Sequence, residues 1–356
     1  MDRPGSGLSV SAQPAPLPPE TPAVHRVRVA VRSWVAAHGV REVTVALSGG
    51  ADSAALTVAA VAEADAVHAV IVDHRLQDGS GEVAARAAEF ARDSGCVSAT
   101  VVAVDVTGGG GPEAAARTAR YRALDENRAG RPVLLGHTLD DQAESVLLGL
   151  GRGSGPRSIR GMAEFDDPWG RPLLGVRRTQ TRQMCADLGY RPYEDPHNAD
   201  PRFTRVRLRA EVLPLLEDVL GGGVAESLAR TAVQLREDGD VLDADAAALL
   251  EEALDAAASG TDSHGAGPDI AVLSAAPPAV RRRAVRAWLL TRGATALTDR
   301  SLRAVDELLV RWRGQGPVAV GRGPEAGTRL VVIRRRGTLS TEFVARAART
   351  TEGSDD

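Results

Sequence analysis

Lysine is missing from this 356-residue chain, so its 43 basic residues are all arginine. That absence excludes a P-loop of the G-x-x-x-x-G-K-[ST] type, whose lysine meets the β- and γ-phosphates of a nucleotide. Any triphosphate held here has to be held by backbone amides, arginine and metal. The G-x-G-x-x-G dinucleotide fingerprint is likewise missing after the first strand-like run. Cysteine is scarce: Cys96 and Cys185 stand far apart and form no C-x-x-C. This argues against a cysteine-ligated zinc or iron–sulfur site and against a dithiol redox centre, and points to buried thiols in a reducing cytosol. Aromatic residues make up only 3%, too few for base stacking on aromatic platforms to be the main binding mode. The net charge of −4 gives no global basic field of the kind that marks many nucleic-acid binders, so basic clusters have to be sought locally. No stretch approaches the ~20 apolar residues of a membrane helix. The Pro-, Ser- and Ala-rich start lacks the apolar run of a signal peptide. The expectation is a cytoplasmic protein with no membrane partner and a disordered leader over residues 1–22.

What is present reads as two domains, since the chain exceeds the roughly 100–200 residues of a typical single one. Strand-like β-branched runs at 43–47, 66–72, 97–104 and 133–136 alternate with alanine-rich helical segments. Such alternation argues for a parallel sheet covered on both faces. The run Gly221-Gly222-Gly223 is the best candidate boundary. It separates a domain over 23–220 from a smaller, mainly helical one over 224–336, with a tail at 337–356. Helices are expected at 224–258, 279–292 and 299–313, the last capped by Thr298, and short strands at 318–320 and 329–333.

Chemistry concentrates where three strands end. Ser48-Gly49-Gly50-Ala51-Asp52-Ser53 joins the first strand to a helix, and a glycine turn at a helix N-terminus makes a phosphate-sized nest of backbone N–H groups. Asp52 and Ser53 either cap that helix or face the ligand. Asp73, with His74 and Arg75, ends the second strand, and His137 follows the fourth. Ligands in open parallel sheets bind at such carboxyl ends, so these distant residues become neighbours. In Asp140-Asp141-Gln142-Ala143-Glu144 the acids open a helix, which is either dipole complementarity and capping or a site for an amine or for magnesium held through water. Asp141 and Glu144 are three apart and share one face. Arg117 either pairs with Glu113 at i,i+4 spacing or is the phosphate-directed charge that replaces a P-loop lysine. Arg152, Arg157 and Arg160, and then Arg202, Arg205, Arg207 and Arg209, are either solvated faces or a track for a polyanion longer than ATP. The triplets at Arg281-Arg282-Arg283 and Arg334-Arg335-Arg336 could extend that track.

Together these motifs resemble the tRNA(Ile)-lysidine synthetases of the PP-loop (N-type ATP pyrophosphatase) superfamily. The S-G-G-x-D-S loop is common to the superfamily. More specific are Val72-Asp73-His74-Arg75-Leu76, Glu113 with Ala116-Arg117 and Arg120-Tyr121, His137 with Asp140-Asp141-Gln142-Ala143-Glu144, and Glu194-Asp195-Pro196 with Phe203-Thr204-Arg205. The resemblance implies an adenine-nucleotide α-hydrolase-like α/β domain. It also implies a ligase that forms a carbon–nitrogen bond: cytosine O2 of the wobble cytidine in a CAU-anticodon tRNA(Ile) attacks the α-phosphate of ATP, and L-lysine then displaces AMP from C2. It makes Asp52, Asp73, Arg117, His137, Asp141 and Glu144 catalytic, Ser48 to Ser53 the ATP loop, and Arg152, Arg160, Arg205, Arg207 and Arg209 tRNA contacts. ATP with Mg2+ is the expected cofactor, the metal ligands staying unassigned, and a homodimer is one possible assembly. The alternatives are a PP-loop tRNA thiolase, which would need sulfur-handling cysteines, and a noncatalytic adenine-nucleotide- or RNA-binding protein.

Overall fold

A computed structural model describes residues 18–75, 79–106, 111–153, 155–259, 267–295, 297–323 and 327–345. Most of the expected leader and the end of the expected tail lie outside these residues, as does the side chain of Glu113. The chain divides into two units, 1–151 with 161–232 and 152–160 with 233–356.

The first unit opens with α1 (Pro22–His38), whose N-cap Thr21 accepts from the Val24 N–H and whose C-cap Gly39 is left-handed. Then come β1 (Glu42–Ala46), α2 (Ala51–Glu63), β2 (Ala66–Asp73), α3 (Ser80–Asp93), β3 (Ser98–Ala103), α4 (Pro112–Asn127), β4 (Val133–Leu134) and α5 (Leu139–Gly151). A four-residue α6 (Pro156–Ile159) lies in the segment assigned to the second unit. The first unit resumes with β5 (Phe165–Asp166), β6 (Trp169–Gly170), α7 (Arg178–Asp187), α8 (Thr204–Arg207), a π-helical turn (Leu208–Val212) and α9 (Leu213–Val219). Strand order is β3-β2-β1-β4-β6-β5, parallel except for the β5–β6 pair.

Alternation along β1 explains the layering. Val43, Val45 and Leu47 face one core with Val24, Val27, Val31 and Trp34 of α1, Leu56 of α2, and the alanines of α3. Ala46 points the other way and joins Val70, Val133 and Leu135 under Leu124 of α4. Full burial of each such Val or Leu is worth about 1.5–3 kcal/mol. Small alanines let α2 pack closely against both α1 and α7. After β3 the chain returns to place β4 on the opposite side of β1, so the order reverses there, and the crevice beyond the carboxyl ends of β1 and β4 is the switch point where open sheets bind ligands.

The second unit contains α6, the later part of α10 (Val224–Ser259), α11 (Ile270–Ala275), α12 (Pro278–Thr291) and α13 (Asp299–Val310). It also carries an antiparallel sheet of β7 (Val318–Arg322), β8 (Thr328–Arg335) and β9 (Thr338–Ala345). Its core joins Ile270, Leu273, Val285, Trp288, Leu289, Val305, Leu308, Leu330, Val332 and Leu339. Thr298 caps α13 in a reciprocal box with Ser301.

Two boundaries differ from expectation. The glycine run ends α9 but not the first unit: the Glu217 carboxylate accepts from the N–H groups of Val224 and Ala225, and Ala225 packs with Leu139, Ala143 and Leu213. The first turns of α10 therefore belong to the first unit, and the division falls after residue 232. Residues 338–345, expected as tail, are a paired strand.

Gly170 is hemmed in by the β6 packing: a β-carbon there would collide with the Trp34 ring and come within 2.8 Å of Leu134 Cδ2. Gly170→Ala is predicted to lose about 1–3 kcal/mol of stability through overpacking. Gly175→Ala, where a β-carbon meets nothing within 4 Å, should leave the urea midpoint close to wild type.

Candidate active site

The Ser48–Ser53 turn is stitched from within. Ser53 Oγ accepts from the Ser48 N–H at 3.2 Å, contacts Ser48 Oγ at 3.1 Å and donates to the Gly50 carbonyl at 3.0 Å. Gly49 has φ +80°, a left-handed conformation that glycine adopts without strain. No side chain caps α2, so Ser53 braces the loop and the first-turn amides keep their capacity for an anion. Gly136, after β4, lets the two elements meet: a β-carbon there would lie 3.0 Å from the Asp52 carbonyl carbon and the Ser53 nitrogen.

Asp52 neither caps the helix nor stands free. Its carboxylate accepts from the Thr181 hydroxyl and faces Arg178 Nε at 3.5 Å. Burial raises its pKa above the ordinary value, and Thr181 and Arg178 only partly offset this.

Arg178, at the start of α7, is the centre of a polar cluster. Its guanidinium meets Asp141 at 2.5 Å and Glu144 at 3.3 Å as well as Asp52, while its backbone N–H donates to Asp140 at 2.7 Å. Burial opposes its charge, and the carboxylates of Asp141, Glu144, Asp52 and Asp140 outweigh burial and raise its pKa. Arg209 closes the cluster from the π-helical turn, with Nε 2.8 Å from Glu144 and an amino group 3.6 Å from Asp141. Arg205 stands 3.8 Å from Glu144. The Glu144 side chain is 0% exposed. The capping reading of the acidic helix start holds for Asp141, which accepts the Thr138 N–H at 2.8 Å while its own N–H returns to Thr138 Oγ1 at 3.5 Å, and its carboxylate is also paired with Arg178.

A cavity of about 260 Å³ lies at the ends of β1 and β2, lined by Ser48, Asp73, His74, Arg120, Tyr193 and Asp195 among others. Asp73 shapes its rim by accepting the Arg75 N–H at 2.9 Å. Of the α4 arginines it is Arg120, and not the expected Arg117, that lines the cavity. Arg117 is exposed, donates to the Tyr121 hydroxyl at 3.2 Å and lies 4.9 Å over that ring. His137 is half-buried, and its buried Nδ1 has no partner among the described residues. Burial, with Arg120, Arg171 and Arg117 reinforcing it against Asp141, pushes its pKa down to about 3, so the ring is neutral at physiological pH.

The arginines expected to contact tRNA are distributed differently. Arg205 and Arg209 belong to the acid cluster, and exposed Arg207 pairs with Glu211 at 2.8 Å. Arg152 and Arg160 fall in the second unit, where Arg160 meets Asp240 at 3.3 Å. Arg281 and Arg334 are structural rather than phosphate-facing. Arg281 is 5% exposed and forms a two-point pair with Asp306. Arg334 donates to the Leu308 carbonyl and lies over Trp312. Burial pushes the thiols of Cys96 and Cys185 up to about 12, leaving both protonated and inert. Among the described residues no three His, Cys, Asp or Glu side chains gather as a metal-holding group, and no helix is long and apolar enough to cross a membrane. Arg178, Arg120 and Tyr193 are site residues that the sequence reading does not single out for a role. Arg120 belongs to a quoted motif and Tyr193 precedes another, whereas nothing local marks Arg178.

Comparison with known proteins agrees with this geometry. A family description reading "PP-loop domain" matches residues 23–216, and a second, "TilS substrate binding domain", matches residues 269–340. The tRNA(Ile)-lysidine synthase of Rhodococcus erythropolis is 63% identical over 327 residues, 91% of this chain and 97% of its own length. That of Nocardia farcinica is 63% identical over 324 residues, covering 90% and 99%. That of Mycobacterium tuberculosis is 56% identical over 319 residues, covering 89% and 96%. The chain belongs to the tRNA(Ile)-lysidine synthase family. Its first unit is thus the PP-loop α/β domain of a lysidine-synthase family member, and the loop, cavity and acid cluster are features of that domain.

The cluster has a pH signature. Burial acts to raise the Asp141 carboxyl, but Arg178 and the two Thr138 donors overcome it and leave the group below the ordinary 3.8. A depressed folded-state value supplies stability that is complete above the ordinary value and is lost as pH falls through the depressed one. Urea midpoints followed from neutral pH into acid should fall less steeply for Asp141→Asn than for the wild type.

Proposed function

We propose that the protein joins L-lysine to C2 of the wobble cytidine of a tRNA(Ile) with a CAU anticodon, in two ATP-dependent steps. The observation that carries this reading is the convergence of a loop without a side-chain cap, a polar-rimmed cavity at the ends of β1 and β2 and a buried acid cluster in a chain alike to named lysidine synthases over nearly its whole length. Cytosine O2 attacks the α-phosphate and expels pyrophosphate. The ε-amine of lysine, its ammonium proton released to water, attacks C2, and the C2–O2 bond breaks so that AMP leaves with O2. Amides of residues 50–53 and the α2 dipole offset the charge on the departing pyrophosphate, and Arg120 supplies the fixed cation in the cavity. Asp52 is the loop carboxylate that would hold a magnesium ion, which would supply counter-charge on the phosphates. No nucleophilic side chain takes part, in keeping with the raised thiol pKa values. A tRNA substrate puts the work in the cytoplasm.

Asp141 and Glu144 serve the lysine ammonium in this reading, in exchange with the guanidinium groups they hold in the lysine-free chain. Arg209, 34% exposed against 14% for Arg178, is the partner that gives way. Glu144→Gln should then raise KM for lysine while leaving tRNA-dependent ATP–pyrophosphate exchange in place. Incubation with ATP, labelled lysine and both CAU-anticodon tRNAs tests the whole: label should enter the isoleucine tRNA only. Gly50→Val, which fills the nest, should abolish incorporation in a folded protein. Absence of label in any tRNA with the wild type would overturn the reading.

In the second unit, tRNA phosphates meet the cluster around Asp243, where Arg157 at 2.6 Å, Arg283 at 2.7 Å and Arg160 at 3.7 Å share one carboxylate. Arg286 stands beside them, its basicity lowered by burial and then by Arg157 and Arg160, with Asp243 acting against them. With Asp240 and Asp243 as its acidic partners among the described residues, the group keeps an excess of positive charge that suits a polyanion. Arg286→Gln should weaken tRNA binding several-fold and reduce its salt slope by about 1, with ATP affinity unchanged.

A further inference from the structure

We infer that Tyr190 is a positioning residue for the phosphate loop: its hydroxyl and the Tyr193 N–H together hold the Gly49 carbonyl, which turns the Gly50 N–H toward the nucleotide. This rests on the ATP-loop reading given under Proposed function. The Tyr190 hydroxyl donates to the Gly49 oxygen at 3.1 Å and the Tyr193 N–H to the same oxygen at 2.9 Å. A trans peptide is planar, with its C=O and N–H on opposite edges. Fixing the Gly49 oxygen from one side therefore fixes the direction of the Gly50 N–H on the other. Left-handed Gly49 has no side chain to resist rotation of that peptide, so the two donors supply the restraint that the loop itself lacks.

The placement of Tyr190 has a local cause. Helix α7 ends in a Schellman turn: the Gly189 N–H bonds to the Ala186 carbonyl, and the Tyr190 N–H bonds to the Cys185 carbonyl. With Gly189 at φ +68°, the chain reverses and the ring returns toward the loop. There it stacks on Phe90 with centroids 4.0 Å apart. Burial raises the phenol's pKa, which keeps the proton on the oxygen and the hydroxyl a donor. The two ends of α7 thus hold the loop, its first turn at Asp52 through Arg178 and Thr181 and its C-terminal turn at Gly49 through Tyr190.

Tyr190→Phe separates this role from packing, because phenylalanine keeps the stack on Phe90 and loses only the donor. In the full-length chain we expect KM for ATP, and Kd for ATP by calorimetry, to rise about fivefold, the equivalent of one ordinary hydrogen bond. KM for lysine, KM for tRNA and the thermal midpoint should stay near wild type. Phe90→Leu is the control that disturbs the stack and keeps the hydroxyl, and it should leave ATP affinity unchanged. Wild-type ATP affinity in Tyr190→Phe, or an equal loss in Phe90→Leu, would overturn the inference. Failure of the wild type itself to bind ATP would remove both this inference and the ATP-loop reading.

Discussion

A buried guanidinium cannot shed its proton and cannot be left without counter-charge, and this constraint at Arg178 organises the first unit. Removing one partner of a buried ion pair typically costs about 3–5 kcal/mol. The start of α7 is consequently tied to the first turn of α2 through Asp52 and to the first two turns of α5 through Asp140, Asp141 and Glu144. Those helix starts carry the Ser48–Ser53 loop and the acid cluster. Apolar packing of α1, α2 and α7 holds the helices on the sheet, but such packing is nondirectional, whereas a planar fork with five donors is not. The register of the site is therefore set by charge and its stability by alanine, valine and leucine.

The same economy appears in how single side chains serve two purposes. Asp141 satisfies the N-terminus of α5 and neutralises Arg178, and Ser53 closes the loop that its own helix begins. In the second unit, Arg281 fills a buried position between α12 and α13 and bonds to Asp306 and to the Ala276 carbonyl. In a chain where arginine is the only basic residue, its charge marks a core position as readily as a surface one.

Much of this was legible in advance because buried parallel strands are written as β-branched runs. The strands β1, β2 and β3 lie within a residue or so of the expected spans, and the three motif-bearing strands stand side by side in the order β2-β1-β4. Strands of two residues such as β5 and β6 are too short for any periodicity to register. The last strand was missed although Thr338 to Val344 alternates, because the tight turn before it is made by Arg336 and Gly337, both with positive φ, and arginine is not a residue that signals such a turn. The arginine runs defeated local reading for a different reason: a run of like charge reports nothing about what each side chain faces. Whether Arg209 meets tRNA or Glu144, or Arg281 meets phosphate or Asp306, depends on contacts made far along the chain. Arg178 and Tyr190 gained their importance only through the packing of α7 against α2.

The all-guanidinium make-up of the acid cluster has a chemical consequence. On the proposed pathway the adenylated cytidine is an electrophile that waits for a primary amine. An ammonium side chain at Arg178 or Arg209, held by the carboxylates that the proposal gives to the substrate amine, would on that pathway be a second amine near the reactive carbon, able to couple the enzyme to its own tRNA. Guanidinium groups stay protonated and non-nucleophilic. With no lysine anywhere in the chain, the incoming amino acid has no side-chain rival of its own kind.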